Sequence, residues 1–122
     1  MTRINCVPVT ELTDQHLLAE YRELPRISKA ARVCDDAPSE YKLGAGHVKF
    51  FYDKGEYLRR RFEEEIVVEL FARGFKLSYS KYRPHPTGLN NDWTPTEEAK
   101  QLNRERIALR LSQSLSHKGN KI

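Results

Sequence analysis

The sequence has little cysteine and no long apolar run. Cys6 and Cys34 are its two cysteines, and no apolar signal segment accompanies them, so we expect reduced thiols in a cytoplasmic protein. No run approaches the roughly 18 apolar residues of a membrane span, which excludes a spanning helix. A zinc site needs closely spaced ligand pairs, whereas Cys6, His16, Cys34 and His47 are scattered. The sequence therefore predicts neither a membrane contact nor a metal site.

The charge is modest in total but uneven along the chain. A length of 122 residues suits a single domain, residues 1–122, with a modest core. The net charge of +4 and the pI of about 9.1 permit a polyanionic partner without requiring one. Residues 100–122 carry six Lys/Arg against one Glu, whereas residues 35–75 carry seven against nine acidic residues. This basic end indicates either a partner-facing surface or a solvated helix with a frayed tail.

Three helical patterns and no convincing alternating strand predict an all-α fold with long loops. Residues 2–9 are short, mixed and interrupted by Pro8, which indicates an extended N-terminal arm. The first helix is expected to begin near Thr10 or Thr13 as N-cap. Pro25 should kink this helix or end its first half. Its apolar stripe consists of Leu17, Tyr21 and Leu24.

The second helix, from about residue 56 to residue 73, carries the clearest apolar stripe. Gly74 is its expected C-terminal stop, and the aromatic residues 50–52 should pack at its entrance. Its charged runs, residues 59–61 and residues 63–65, are interpreted as a solvated face with i,i+4 pairs. The stripe consists of Leu58, Phe62, Ile66 and Leu70, widened by Val67 and Phe71.

The third helix has a clear start and a less regular interior. The run Thr94-Pro95-Thr96-Glu97 has the form of a capping box with proline at the first helical position. The helix should extend to about Ser114. Its expected inner residues are Leu102, Ile107, Leu109 and Leu111.

The start of the chain offers a reactive group. A Met1-Thr2 start favours removal of the methionine, because the second side chain is small. The α-amine of Thr2 would have a pKa near ~7.7–8.0, so about a tenth of it is neutral at pH 7. Neutral amines attack carbonyl-like carbon and form Schiff bases in covalent catalysis. From the residues alone, an ordinary chain terminus remains the more frequent interpretation.

Six blocks of sequence, in order across residues 1–75, resemble the phage endonuclease V family. Members of that family are pyrimidine-dimer DNA glycosylases with an associated abasic-site lyase activity. Any one block is weak, but together they are specific. The blocks are Thr2-Arg3-Ile4-Asn5, Asp14-Gln15-His16-Leu17, Ala19-Glu20-Tyr21-Arg22-Glu23-Leu24-Pro25-Arg26, Leu43-Gly44-Ala45-Gly46-His47-Val48, Phe50-Phe51-Tyr52-Asp53-Lys54 and Arg73-Gly74-Phe75.

The resemblance implies a site at the N-terminus and on the first helix. Thr2 would supply the attacking amine and Glu23 the catalytic carboxylate. The partner would be double-stranded DNA with damaged bases or abasic sites. The protein would act as a monomer in the cytoplasm, associated with the nucleoid when it is bound to DNA. An amine-driven elimination requires no cofactor. The DNA-contacting residues would be Arg3, Arg22 and Arg26 as phosphate clamps, Gln15 and His16 as site-lining residues, and His47 in its glycine turn.

Several alternatives remain at this stage. Without the resemblance, Glu23 reads as a surface carboxylate paired with Arg26, and the turn around His47 reads as a structural turn. The best-known family members end in a tail rich in Trp and Tyr, whereas this chain ends Ser-His-Lys-Gly-Asn-Lys-Ile. Basic residues such as Arg104 and Arg106 cannot be matched one to one. The lesion could therefore differ, and a non-catalytic DNA-binding module is a further alternative.

Overall fold

A computed structural model of the protein describes the backbone of residues 4–119 and the side chains of residues 4–113. The described chain contains three long helices and two 3-10 turns, Val9–Glu11 and Lys49–Phe51, and no strand beyond one isolated antiparallel bridge between Lys54 and Asn90. The predicted all-α class is confirmed. The helices are α1 (Asp14–Ala30), α2 (Gly55–Arg60, continued by a π-helical segment Arg61–Ile66 and by Val67–Ala72) and α3 (Glu97–Gly119).

Helix α1 begins at the second of its two candidate caps. The Thr13 hydroxyl accepts a hydrogen bond from the His16 amide at 3.2 Å, which identifies Thr13 as the N-cap. The helix runs through Pro25 to Ala30, so the proline does not end it. Losing one backbone hydrogen bond at proline costs about 3 kcal/mol. Burial of Leu24 and Ile27 on either side, each worth about 1.5–3 kcal/mol, offsets that cost.

Helix α2 is the core helix, and its apolar stripe is confirmed by burial. A π-helical segment, Arg61–Ile66, forms the middle of the helix. The regular spacing of the stripe does not predict it. Gly74 ends the helix with a φ of +92°, and the Phe75 amide donates to the Leu70 carbonyl at 3.0 Å. Phe71, expected to widen the stripe, is exposed instead. The fully buried stripe residues are Leu58, Phe62, Ile66 and Leu70.

Arg61 overturns the prediction that residues 59–61 form a solvated face. Its side chain is only 2 % exposed, whereas Arg59 and Arg60 remain at the surface. The cause is a partner on another helix, because Arg61 makes a bidentate pair with the buried Glu20 of α1. Nothing within the sequence of α2 reveals that pairing.

The start and the inner face of α3 also differ from the prediction. Thr96 is the cap rather than Thr94, since its hydroxyl accepts from the Ala99 amide at 3.0 Å. Leu102, Leu109 and Leu111 are exposed, so their assignment to the core was wrong. The helix turns a different face inward, with Ala99 and Asn103 buried and Ile107 packed against the core.

The aromatic residues between α1 and α2 close the entrance of α2, as expected. The rings of Phe50 and Phe51 meet edge to face at 5.0 Å, and Trp93 packs edge-on against both. Cys6 and Cys34 are free thiols. No helix within residues 4–119 is long and apolar enough to span a membrane. The described side chains also hold no group of three or more His, Cys, Asp or Glu arranged for a metal ion.

Candidate active site

The outer side of α1 carries three of the predicted site residues together. Arg22 and Arg26 lie one turn apart and are both exposed, and Glu23 stands three residues before Arg26, close enough for its side chain to contact that arginine. The Glu23 side chain is 16 % exposed, whereas that of Arg26 is 77 % exposed. This arrangement sets a largely covered carboxylate beside two accessible cations.

The contact between Glu23 and Arg26 is loose. Arg26 Nη1 lies 3.8 Å from Glu23 Oε2, at the i,i+3 spacing. An ion pair of this length with an exposed arginine contributes at most about 1 kcal/mol. The Arg26 guanidinium can therefore turn towards an anion outside the protein at little cost.

Residues 4–7 of the N-terminal arm are buried although they belong to no sheet. The Ile4 amide donates to His47 Nε2 at 3.1 Å, and the Ile4 carbonyl accepts from the Tyr41 hydroxyl at 3.3 Å. The amides of Cys6 and Val7 both donate to Asn103 Oδ1, at 2.7 and 3.2 Å. Side chains thus supply the hydrogen bonds that a neighbouring strand would otherwise provide.

A buried polar network continues from the arm into all three helices. Arg61 Nε and Nη2 donate to the two oxygens of Glu20 at 2.9 and 3.1 Å, and Arg61 Nη1 donates to the Val7 carbonyl at 2.6 Å. Asn5 Nδ2 donates to Glu20 Oε1 at 2.9 Å, and Asn103 Nδ2 donates to Asn5 Oδ1 at 2.8 Å. Because each of these groups is buried and hydrogen-bonded, the arm has one favoured position.

Sequence reasoning missed this network, although a signal for it exists. Glu20 falls three residues after Leu17 and four before Leu24, so it stands within the apolar stripe of α1. A carboxylate there must be paired once it is buried. Asn103 stands in the same way between Ala99 and Ile107 on α3. A polar residue at a stripe position of a helix therefore indicates a buried polar contact.

The arm runs back along α1, antiparallel to it. Arg73 contacts both Val9 and Asp14, through Nη2 to the Val9 carbonyl and Nη1 to the Asp14 carboxylate. Nearer the start of the chain, Asn5 lies against Glu20, almost two turns further along α1. The arm is therefore directed towards the turn that bears Glu23. Thr2 and Arg3, the two predicted residues that precede this segment, lie outside the described residues.

His16 and Gln15 lie in the first turn of α1. Gln15 is exposed, whereas His16 is partly buried, and its Nδ1 has no hydrogen-bond partner among the described residues. Burial, aided by the positive charge of Arg110, lowers the pKa of His16. A cation of α3, Arg110, therefore lies near the first turn of α1. The sequence gives no sign that these two residues are close.

His47 lies inside the protein and is only 3 % exposed. Its Nδ1 bonds with the Lys42 carbonyl at 2.8 Å while its Nε2 accepts from the Ile4 amide, which fixes the Nδ1-protonated tautomer. Burial lowers its pKa, so the ring is neutral at pH 7. Both ring nitrogens hold the protein's own backbone. A direct DNA contact by His47 stays a prediction that this burial does not favour.

The sequence profile of one known family matches this chain. The family is described as pyrimidine dimer DNA glycosylase, and the match covers residues 1–87, well over half of the sequence. It includes the arm, α1 and α2, and it stops before α3. The match confirms the resemblance that the sequence blocks indicated.

Proposed function

The chain belongs to the pyrimidine dimer DNA glycosylase family, and we propose that it excises the damaged base through an imine formed by its N-terminal amine. After loss of Met1, the α-amine of Thr2 would attack the sugar, and strand cleavage by β-elimination would follow. The observation that carries this proposal is the anchoring of the arm, whose buried residues 4–7 run along α1 towards Glu23.

The chemistry begins with a neutral amine. Its nitrogen attacks C1′ of the damaged nucleotide, the glycosidic bond breaks, and the base departs with the bonding electrons and takes up a proton. The C1′–O4′ bond then breaks and O4′ takes up a proton, while the nitrogen loses one proton, which leaves a protonated imine between Thr2 and C1′. Loss of a proton from C2′ then expels the 3′ phosphate and cleaves the strand. The α-amine suits this task because about a tenth of it is neutral at pH 7.

Glu23 is proposed to stabilise the cationic intermediates and to move the protons. Ile4 is anchored, and the two residues from Ile4 back to Thr2 span at most about 7 Å. Glu23 lies about 4.5 Å further along α1 than Glu20, the residue that holds Asn5. In this proposal the amine and this carboxylate act on the same sugar. General acid–base assistance of this kind accelerates reactions by about 10²–10⁴-fold.

Exposed cations would hold the DNA around the reacting sugar. Arg22 and Arg26 are proposed to bind the phosphates on either side of the damaged nucleotide, with Arg3 as a third clamp. Gln15 and the neutral His16 would line the site as hydrogen-bonding groups. None of these roles requires a metal or an organic cofactor.

Borohydride trapping on defined duplexes tests the proposal directly. Borohydride reduces an imine to a stable amine, so a protein–DNA adduct should form on duplexes with a thymine dimer or an abasic site, and not on undamaged duplex. Intact mass should show the loss of one methionine, and peptide mapping should place the adduct on Thr2. An adduct on a lysine would contradict the role of Thr2 as nucleophile. Trapping at abasic DNA alone would contradict the dimer as substrate. Binding without any trapping would indicate a non-catalytic DNA-binding module.

A residue inserted between Met1 and Thr2 provides the matched control. It moves the amine away from the anchored arm while residues 4–119 keep their sequence. Trapping should then disappear, whereas affinity for damaged duplex should change little. Undiminished trapping by the insertion variant would contradict the role of the arm.

A further inference from the structure

The ring of Tyr79 stacks on the ring of Tyr21 and lies nearly parallel to that of Phe62. Its ring centroid lies 4.5 Å from that of Tyr21 and 6.1 Å from that of Phe62, with interplanar angles of 10° and 2°. Tyr21 and Phe62 are buried, whereas Tyr79 is 41 % exposed. Tyr79 is therefore the accessible member of this group of three aromatic residues.

The backbone of Tyr79 is also hydrogen-bonded to Tyr21. The Tyr21 hydroxyl donates to the Tyr79 carbonyl at 2.7 Å and accepts from the Tyr79 amide at 3.3 Å. Two hydrogen bonds and a ring contact thus join a loop residue to the rigid helix α1. A ring held in this way loses little entropy when a ligand stacks on it.

The surroundings of Tyr79 are electropositive. Burial and the neighbouring Tyr21 raise the pKa of the Tyr79 phenol, while Arg22 and Arg26 are close enough to oppose part of that rise. Residues 76–83 contain no acidic residue, and their basic side chains are all exposed. These basic side chains are Lys76, Lys81, which lies 4.0 Å from Glu63, and Arg83.

We propose that Tyr79 is a stacking platform for an unpaired DNA base at the lesion, next to the phosphates bound by Arg22 and Arg26. The proposal rests on the proposed function for its ligand, DNA. An aromatic ring flanked by cations matches an unpaired nucleotide, which offers an apolar face and a phosphate. A base without a pairing partner costs the least to turn out of the stack. Stacking on one face also tolerates any base, so Tyr79 would sense lost pairing rather than sequence.

The test uses a duplex with a tetrahydrofuran abasic analogue opposite 2-aminopurine, because this analogue cannot form an imine. Tyr79→Leu keeps an apolar side chain over Tyr21 but removes the aromatic face. It should lower affinity for the analogue duplex by roughly 5- to 150-fold, the range that one base–aromatic stack covers. Affinity for undamaged duplex and its salt dependence should stay unchanged. The 2-aminopurine fluorescence in the complex should rise as the quenching stack is lost.

Phe71→Leu is the matched control. Phe71 is also an exposed aromatic residue, but the residues one turn away, Val67, Val68, Gly74 and Phe75, are uncharged. This variant should bind both duplexes like the wild type. Tyr79→Trp keeps an aromatic ring and should retain the preference for the analogue duplex. This variant tests the proposal if the leucine variant fails to fold.

Two outcomes would overturn the inference. One is a Tyr79→Leu or Tyr79→Trp variant that loses affinity for both duplexes equally, as a phosphate contact would. The other is an unchanged Tyr79→Leu variant. Borohydride trapping by the wild type remains a separate readout, so a protein that prefers the analogue duplex through Tyr79 but is never trapped keeps this inference and loses the imine mechanism.

Discussion

Glu20 and Glu23 stand less than one turn apart on α1, and they differ in burial and in their contacts with arginine. Glu20 is buried and receives a bidentate pair from Arg61 together with the amide of Asn5. Glu23 is partly exposed and lies 3.8 Å from the accessible Arg26. One carboxylate is fixed by short hydrogen bonds within the fold, and the other borders a surface that can receive a ligand.

The difference shows how one helix serves two purposes. A buried ion pair brings little net stability, because desolvation consumes most of the attraction, but it fixes geometry and is costly to break. Glu20 and Arg61 therefore position the arm rather than react. Glu23 is 16 % exposed and lies next to the accessible Arg26, and the proposed mechanism assigns it to the reaction. The predictions below separate these two purposes.

The largest expected effect is on the reaction, from Glu23→Gln. The amide keeps the shape of the side chain but removes the negative charge proposed to stabilise the imine. Strand cleavage should fall by about 10²–10⁴-fold in single-turnover assays. Affinity for damaged duplex and the free energy of unfolding should change little. Cleavage at the wild-type rate would reduce Glu23 to a surface residue.

Glu20→Gln should instead act on the fold. It leaves Arg61 without a full counter-charge in a buried site, and breaking such pairs costs about 3–5 kcal/mol in the free energy of unfolding. Urea denaturation measures this loss. Glu65→Gln is the matched control, since Glu65 also contacts Arg61 at 3.3 Å but is about one third exposed. It should cost at most about 1 kcal/mol, and equal losses in both variants would refute the special position of Glu20.

Acid should weaken the anchor of the arm through His47. The pKa of His47 is lowered in the folded protein by burial, so the unfolded chain takes up its proton first as the pH falls. Stability is therefore complete above about pH 6.5 and declines below it, with a slope of up to ~1.4 kcal/mol per pH unit for one proton. Urea denaturation at several pH values should show a flatter profile for His47→Gln. A smaller flattening is expected for His16→Gln, whose pKa is also lowered.

The smallest effect concerns salt. If Arg26 neutralises one phosphate, Arg26→Gln should reduce the slope of log affinity against log salt by about 0.9, on damaged and undamaged duplex alike. Arg59 offers the control, because it is engaged with Glu56, Glu63 and Glu64 on α2. Arg59→Gln should leave the slope unchanged. The same slope for wild type and Arg26→Gln would assign the phosphate contact elsewhere.

Local signals in the sequence predicted the elements that depend on local physics. The stop at Gly74, and the cap at Thr13 as one of two candidates, follow from side-chain and backbone preferences within one turn. The stripe of α2 follows from its spacing. The cluster of Arg22, Glu23 and Arg26 could be placed on α1 for the same reason, although their chemistry came from the family resemblance and not from their spacing.

The missed features depend on partners far away in sequence. Arg61 is buried because Glu20 faces it, 41 residues earlier, and no pattern within α2 records this. Asn103 is buried because it makes three hydrogen bonds with the arm. With this face of α3 turned inward, Leu102, Leu109 and Leu111 are exposed. Tyr79 stood in a loop without periodicity, so the stack beneath it could not be read from the sequence.

The anchoring of the arm has a consequence for the order of events during translation. Its partners come from Glu20, His47, Arg61 and finally Asn103, so the arm cannot be fixed until the first turns of α3 have left the ribosome. At about 5–20 residues per second, this takes on the order of 5–20 s. During that interval, once it has left the ribosome, the start of the chain is not yet held by these contacts. The long-range contacts that later hold the arm thus leave time for the removal of Met1 that the proposed chemistry needs.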